Sequence, residues 1–381
     1  PNSDPSAREW LVEKMSVGTL QSLEASLPFD IILPADVANP EFAVTRWDVE
    51  VDDPTLDFAF SDVTVDYRSP LMPAENMSAT GTYKDGVIDI AVSKATIGGL
   101  AVDKGSVILR DLEVENGGEA DIDIHATGNL SSALDYIDRE PIDLKKGLSF
   151  DADKATGQID LNVAVDFPTI KDLKTEQVQV KVDATLNDVS LPRAVKDLTL
   201  SGGPYTLKAA DGKIELNGSG FISQTPLELT LEEYIEPKGA PFMQRVRAKL
   251  VADYDLREKF GVTLDDYIGG NLPLDIIYES QADRSAVINA KANLTPVEFR
   301  IDPLDYKKDV AQAGAATAKI LLKGDDILEV QNLNIDLPNG NIKNGRLGFG
   351  QVAGVTDVTK GTFEAVTLPE NSFSLDFVRN E

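Results

Sequence analysis

The sequence contains no cysteine, which excludes a disulfide framework, thiolate nucleophiles and cysteine-ligated metals. The 36 lysines and arginines are outnumbered by 64 acidic residues, giving a net charge of −28. This balance argues against binding to nucleic acid or to an anionic membrane surface, because both need clustered basic side chains. No run approaches the roughly 20 apolar residues of a membrane-spanning helix, and no signal peptide is visible. The chain starts at Pro1 without an initiator methionine, so we expect a processed protein or a segment of a longer one.

Carboxylates are too abundant to indicate a site, and the sequence offers few other residues suited to catalysis or metal binding. The single histidine, His125, alternates with Asp121 and Asp123, which puts all three on one face of a strand. We interpret this face as solvated and not as a metal site, because a flat strand leaves the coordination shell open. Asp52–Asp53 and Asp325–Asp326 are interpreted as surface turns, since no spaced calcium loop surrounds them. Neither a nucleophile elbow nor a phosphate-binding glycine loop occurs, so we expect no enzyme, no cofactor and no metal.

Strands with one apolar and one polar face dominate what is present. In Glu176–Leu186, Val178, Val180 and Val182 alternate with polar residues, a period of two that places them on one side of a pleated strand. Apolar residues make up 42% of the chain but aromatic residues only 7%, so these faces are aliphatic and smooth. The same alternation recurs in Met77–Val92, Ile159–Val165, Tyr205–Gly220 and Ile327–Leu337. The pattern predicts an all-β protein with a few short helices.

Turn and helix signals recur in a corresponding order. Asp85-Gly86 and Asp211-Gly212 each separate two alternating runs, a strong hairpin signal. Short helices are predicted at Ser6–Met15, Ser131–Arg139 and Leu256–Ile268. The recurrence indicates repeated β units, each burying its apolar face beside its neighbours. We predict one continuous sheet, mostly antiparallel, with units at residues 1–145, 146–270 and 271–381.

Several segments, taken in order, resemble the AsmA-like proteins and in particular their YhdP-like branch. They are Ala7–Leu11, Phe58–Tyr67, Leu134–Leu144, Phe167–Leu173 with Val178, Val189–Pro192 and Pro303–Lys308. The last resembles the family's Pro-x-x-x-Trp-x-Lys element, with Tyr306 where the family often has tryptophan. The membrane-spanning N-terminus of the family has no counterpart here.

The resemblance implies a periplasmic protein of Gram-negative bacteria, tethered to the inner membrane through a segment outside this sequence. It further implies a bridge-like lipid transfer protein, whose elongated, curved sheet forms an open groove with an apolar floor. Phospholipid acyl chains would move along that floor toward the outer membrane, without a covalent step. Expected partners are phospholipid, the membrane anchor and adjacent repeats of the same protein, but no nucleic acid.

The residues with the cleanest alternation are the candidate lipid contacts. They are Ile88, Ile90, Val178, Val180, Val182, Leu207, Ile214, Leu216, Leu227, Leu229, Leu347 and Phe349. The residues alone favour a closed sandwich core, whereas the resemblance favours the open groove. A closed, dry core would suit a structural or assembly factor for outer-membrane biogenesis, and surface display would suit an adhesin. An accessible apolar slot would suit lipid transport.

Overall fold

The computed structural model describes residues 12–32, 48–111, 117–170, 172–235, 239–260, 266–302, 305–324, 326–352 and 355–379. The chain divides into two compact units, Pro1–Leu186 and Asn187–Glu381. This division does not test the three repeat units predicted at 1–145, 146–270 and 271–381, which stay a prediction. The opening helix predicted at Ser6–Met15 lies largely outside the described residues, as does the segment Ala7–Leu11.

The described part of unit 1 contains ten strands, three short 3₁₀ turns and one helix, and the strand that follows, β11, runs across the unit boundary. The strands are β1 (Met15–Ser16), β2 (Thr19–Ser26), β3 (Phe29–Ile32), β4 (Asp48–Val51), β5 (Thr55–Val65), β6 (Ala74–Lys84), β7 (Val87–Ile97), β8 (Leu100–Arg110), β9 (Glu119–Asn129), β10 (Thr156–Pro168) and β11 (Gln179–Val195). Helix α1 is Leu130–Ile137, and the 3₁₀ turns are Lys145–Gly147, Ala152–Lys154 and Thr175–Gln177. Strands β5 to β10 pair antiparallel in chain order, β1 and β2 pair with β5, and β3 pairs with β4.

Unit 2 contains a long sheet and a small one. The strands are β12 (Leu198–Ala210), β13 (Lys213–Ile222), β14 (Thr225–Tyr234), β15 (Gln244–Ala252), β16 (Ile268–Gly269), β17 (Leu272–Ser280), β18 (Ser285–Asn293), β19 (Glu298–Ile301), β20 (Tyr306–Lys308), β21 (Ala315–Lys323), β22 (Asp326–Leu337), β23 (Gly340–Val352), β24 (Val355–Leu368) and β25 (Asn371–Val378). Helix α2, Tyr254–Lys259, follows β15. Strands β16, β19 and β20 form the small sheet, and the others pair antiparallel in chain order. Among the described residues no pairing joins β12 to β25, so the long sheet is open.

Both predicted hairpins are confirmed. Lys84 pairs with Val87 and Ala210 with Lys213, which leaves two-residue loops between the strands. In the first loop Asp85 and Gly86 have φ values of 51° and 76°, and the second loop is alike. Positive φ at both loop positions defines the type I′ turn, whose twist matches that of the flanking strands. Asp-Gly therefore fixes the register locally.

The all-β class with few helices is confirmed, since 68% of the chain is strand and 8% is helix. The helix predicted at Ser131–Arg139 is observed as α1. The helix predicted at Leu256–Ile268 is wrong at its end: α2 stops at Lys259, and Ile268 begins strand β16. Asp253 caps α2 by accepting the Leu256 backbone N–H at 2.8 Å. Ile268 instead packs in a buried hydrophobic cluster with residues of the small sheet.

Candidate functional site: two apolar sheet floors

Cross-strand register gathers apolar side chains of unit 2 onto one face of its long sheet. Directly paired residues in an antiparallel sheet project to the same side, so a row can be followed from strand to strand. The central row from β12 to β23 is Leu207, Leu216, Leu231, Val246, Tyr278, Ile288, Ile320, Val330 and Leu347. A parallel row on the same face is Leu229, Ala248, Ile276, Ala290 and Ala318. We call these two rows the unit 2 floor.

The opposite face of the same strands is charged. Glu232 lies in an ion-pair ladder, 2.9 Å from the Lys213 ammonium and 3.1 Å from Arg247, while Arg245 contacts Glu279 at 2.6 Å. The hydrogen bond from Lys213 is the main reason that the pKa of Glu232 is lowered. These charges keep the outer face in water, so the sheet is amphipathic across its thickness.

The unit 2 floor is neither sealed nor fully exposed. Its side chains are half-buried, apart from Leu216, which is 9% exposed. The substantial contacts between strands join hydrogen-bonded neighbours. The half-buried side chains differ from those of a sandwich core, in which two inner faces interdigitate and exclude solvent.

One end of the strands is closed by the small sheet. Buried residues of this sheet and its flanks pack into a cluster against the last floor-side residues of the long sheet. The cluster is Ile268, Leu272, Leu294, Val297, Phe299 and Tyr306, and the residues it covers include Leu274, Ala292, Ala316, Ile335 and Leu337. We call this cluster the end wall. It limits the unit 2 floor at one end of the strands.

A buried lysine forms hydrogen bonds to the backbone of the end wall. The Lys308 side chain is fully buried, and its ammonium donates hydrogen bonds to the carbonyl oxygens of Val297 at 2.8 Å and Asp309 at 3.0 Å. Burial lowers the pKa of Lys308, because removal from water disfavours the charged form. Tyr306, which stands where the family often has tryptophan, packs in the same cluster. The Tyr-x-Lys pair is therefore a structural element of the wall.

Unit 1 has a floor of the same kind. Its row runs through Phe58, Gly81, Ile90, Val107, Ile122 and Val165, and a neighbouring row contains Tyr83, Ile88 and Leu109. We call these rows the unit 1 floor. Helix α1 packs against β9 and β10 through buried Leu130 and Leu134, and it closes the strand ends there as the small sheet does in unit 2.

Aromatic rings lie flat over facing glycines on both floors. A Cβ built on Gly81 would overlap the Phe58 ring, and one on Gly361 would overlap the ring of Phe377. Gly345 has the same relation to Phe363. Each ring fills the space above its glycine and therefore does not stand out from the surface of the sheet. The sequence reasoning missed this pairing, although a glycine inside an alternating strand is a signal of close approach.

The candidate lipid contacts fall on these surfaces in different ways. Ile88 and Ile90 lie on the unit 1 floor, and Leu207, Leu216, Leu229 and Leu347 lie on the unit 2 floor. Ile214 and Phe349 extend the same face, whereas Leu227 is buried near the strand end. Val178 immediately precedes β11, and Val180, which is 44% exposed, and Val182 lie at its start. Their contact with lipid stays a prediction.

His125 lies on the polar face of unit 1, among carboxylates of the neighbouring strands. Its Nδ1 is 2.5 Å from Asp103 and its Nε2 is 3.0 Å from Asp160. These hydrogen bonds raise the pKa of His125. Asp121 pairs instead with Arg110, so the trio singled out in the sequence does not converge. Within the described residues no three histidine or acidic side chains are placed to hold a metal.

Comparison with known proteins gives one family. The family described as "YhdP protein" matches residues 51–372, which covers both floors and the end wall. No curated protein and no solved structure matches the chain. Among the residues described, none of the helices combines the length and apolar character needed to cross a bilayer.

Proposed function

Because the chain belongs to the YhdP family of bridge-like lipid transfer proteins, we propose that it conducts phospholipid between the inner and the outer membrane. Acyl chains would rest on the apolar floors and move passively, and no bond would be made or broken. The family is periplasmic and anchored in the inner membrane. We place this segment in the periplasm, tethered through a part of the protein outside this sequence and continued by adjacent repeats.

The observation that carries the proposal is the unbroken apolar row of the unit 2 floor. Each methylene that leaves water for such a surface contributes about 0.8 kcal/mol. A row that crosses consecutive strands without a charged residue offers this gain at every step. Because most of the side chains are aliphatic, one position resembles the next, which favours sliding over tight capture.

The charged outer face supports the same assignment. It keeps the protein soluble beside an apolar surface that would otherwise promote association. The half-buried floor also favours lipid transport over the alternative of a structural or assembly factor, which a closed, dry core would favour. An acyl chain is the occupant that matches a long, smooth and non-polar surface.

The proposal predicts that gently extracted protein retains phospholipid. Native mass spectrometry of the unmutated chain should show masses above that of the protein by whole phospholipids, and collisional activation should release them. Lipid extracts of the same sample identify the headgroups. A protein that emerges free of lipid from membranes and also takes up none from vesicles would contradict the proposed function.

A further inference from the structure

The unit 2 floor changes in character along each strand, from the end wall toward the opposite side. On β17 the floor-side residues are Leu272, Leu274, Ile276, Tyr278 and Ser280, in that order. Leu272 and Leu274 belong to the end wall or pack against it, whereas Ile276 and Tyr278 are half-buried floor residues. The strand therefore leads from a buried apolar end to a polar one.

A polar rim continues this gradient on neighbouring strands. Glu233, Gln244 and Ser280 are paired in register on β14, β15 and β17, on the same side as the floor. The Gln244 side-chain amide donates a hydrogen bond to the Glu233 carboxylate at 3.1 Å. Hydrogen-bonding groups at the open edge suit a wet lipid headgroup, while the apolar residues behind them suit its tails.

The floor between rim and wall is long enough to hold a lipid tail along the strand. Ser280 and Leu274 are six residues apart on β17, which corresponds to about 20 Å of strand. One leaflet of a bilayer has a hydrocarbon thickness of about 15 Å, half of the total core. Beside the wall, Ala248, Ala290 and Ala318 have small side chains, so the deep end of the floor has room for terminal methyl groups.

We propose that the end wall of unit 2 sets the length of the acyl chains that the protein accepts. This inference rests on the proposed function and adds an orientation to it. The tails lie parallel to the strands, with their methyl ends against the end wall and the headgroup beside Glu233, Gln244 and Ser280. A chain too long for the slot leaves methylenes in water, and each of these weakens binding about fourfold.

The test measures which tails are bound before and after the slot is shortened. The full chain is loaded from vesicles with equal amounts of dimyristoyl, dipalmitoyl and distearoyl phosphatidylethanolamine, and the bound lipid is quantified by mass spectrometry. Ala290→Phe adds a ring at the deep end, and we expect the bound ratio of distearoyl to dimyristoyl lipid to fall about tenfold. Asn289→Phe adds the same ring to the exposed opposite face of β18 and should leave the ratio unchanged.

A second variant, expected to change the bound lipid ratio in the opposite direction, keeps the test valid if Ala290→Phe misfolds. Leu274→Ala removes bulk from the wall side, so the bound ratio should move toward distearoyl lipid. Unchanged ratios in both variants would overturn the inference. A loss of all three lipids to the same extent in folded Ala290→Phe would also overturn it, because tails lying across the strands would be blocked regardless of length. If the unmutated protein binds none of the lipids, the proposed function itself fails.

Discussion

Placing one carboxylate on each floor, with Ile90→Asp and Ile288→Asp together, is expected to lower bound phospholipid at least about tenfold. Ile90 pairs with Gly81 and Val107, and Ile288 pairs with Tyr278 and Ile320, so both side chains lie within apolar rows. An acyl chain over these positions would have to strip water from a charge, which costs several kcal/mol without a partner. A loss of only about 1.4 kcal/mol already gives a tenfold weaker complex. The lipid-to-protein ratio from native mass spectrometry measures the effect.

The control uses the neighbouring residues of the same strands. Ala91→Asp with Asn289→Asp adds the same two charges to the exposed polar faces of β7 and β18. This variant should retain lipid as the unmutated protein does. Equal lipid loss in both double variants would mean that added charge, and not its face, is responsible, and the floors would lose their assigned role. Circular dichroism verifies that each variant is folded.

Replacing Gly220 by alanine is expected to destabilise unit 2 by about 3 kcal/mol, as overpacking of a filled site does. Gly220 lies on β13 beneath the side chain of Tyr205, which is 1% exposed. The Tyr205 hydroxyl donates a hydrogen bond to the Ser201 carbonyl at 3.0 Å. A Cβ on Gly220 would overlap both the hydroxyl and that carbonyl, so the ring and backbone would have to move apart. Urea unfolding followed by circular dichroism measures the change in midpoint.

Two comparisons separate this overlap from a general effect of the substitution. Ser219→Ala, at the exposed neighbouring position, should change the free energy of unfolding by no more than about 0.5 kcal/mol. Combined with Tyr205→Ala, Gly220→Ala should cost less than it does alone, because the overlap with the ring is removed and only that with the Ser201 carbonyl remains. Additive costs in the double variant would contradict the close packing of the ring over the glycine.

Local patterns in the sequence predict much of this fold. The alternation around Val180 identifies a two-faced strand, and Asp-Gly at 85–86 and 211–212 identifies hairpins with fixed register. Both signals act within a few residues, through the pleat of a strand and the φ values of a turn. Register then carries the pattern from strand to strand. For this reason the alternation alone assigns Ile90 and Leu216 to apolar faces, where the structure places them.

The end wall is not predictable in this way. Ile268, Phe299 and Tyr306 come from separate short segments, none of which is long enough to show a period. The sequence instead predicts Ile268 at the end of a helix, because its neighbours carry helical signals and its true partners are distant along the chain. The burial of Lys308 is equally non-local, since its ammonium is satisfied by the carbonyl of Val297. Contacts between distant segments therefore decide where the floor ends.

Photo-crosslinking tests most directly whether lipid tails occupy the floor. A photoreactive phenylalanine analogue is placed at Ile288 or at Asn289, adjacent residues that face opposite sides of β18. Mass spectrometry then detects phospholipid attached after illumination of lipid-loaded protein. We expect acyl-chain adducts at position 288 and none at position 289. Adducts of equal yield at both positions, or at 289 alone, would contradict the account.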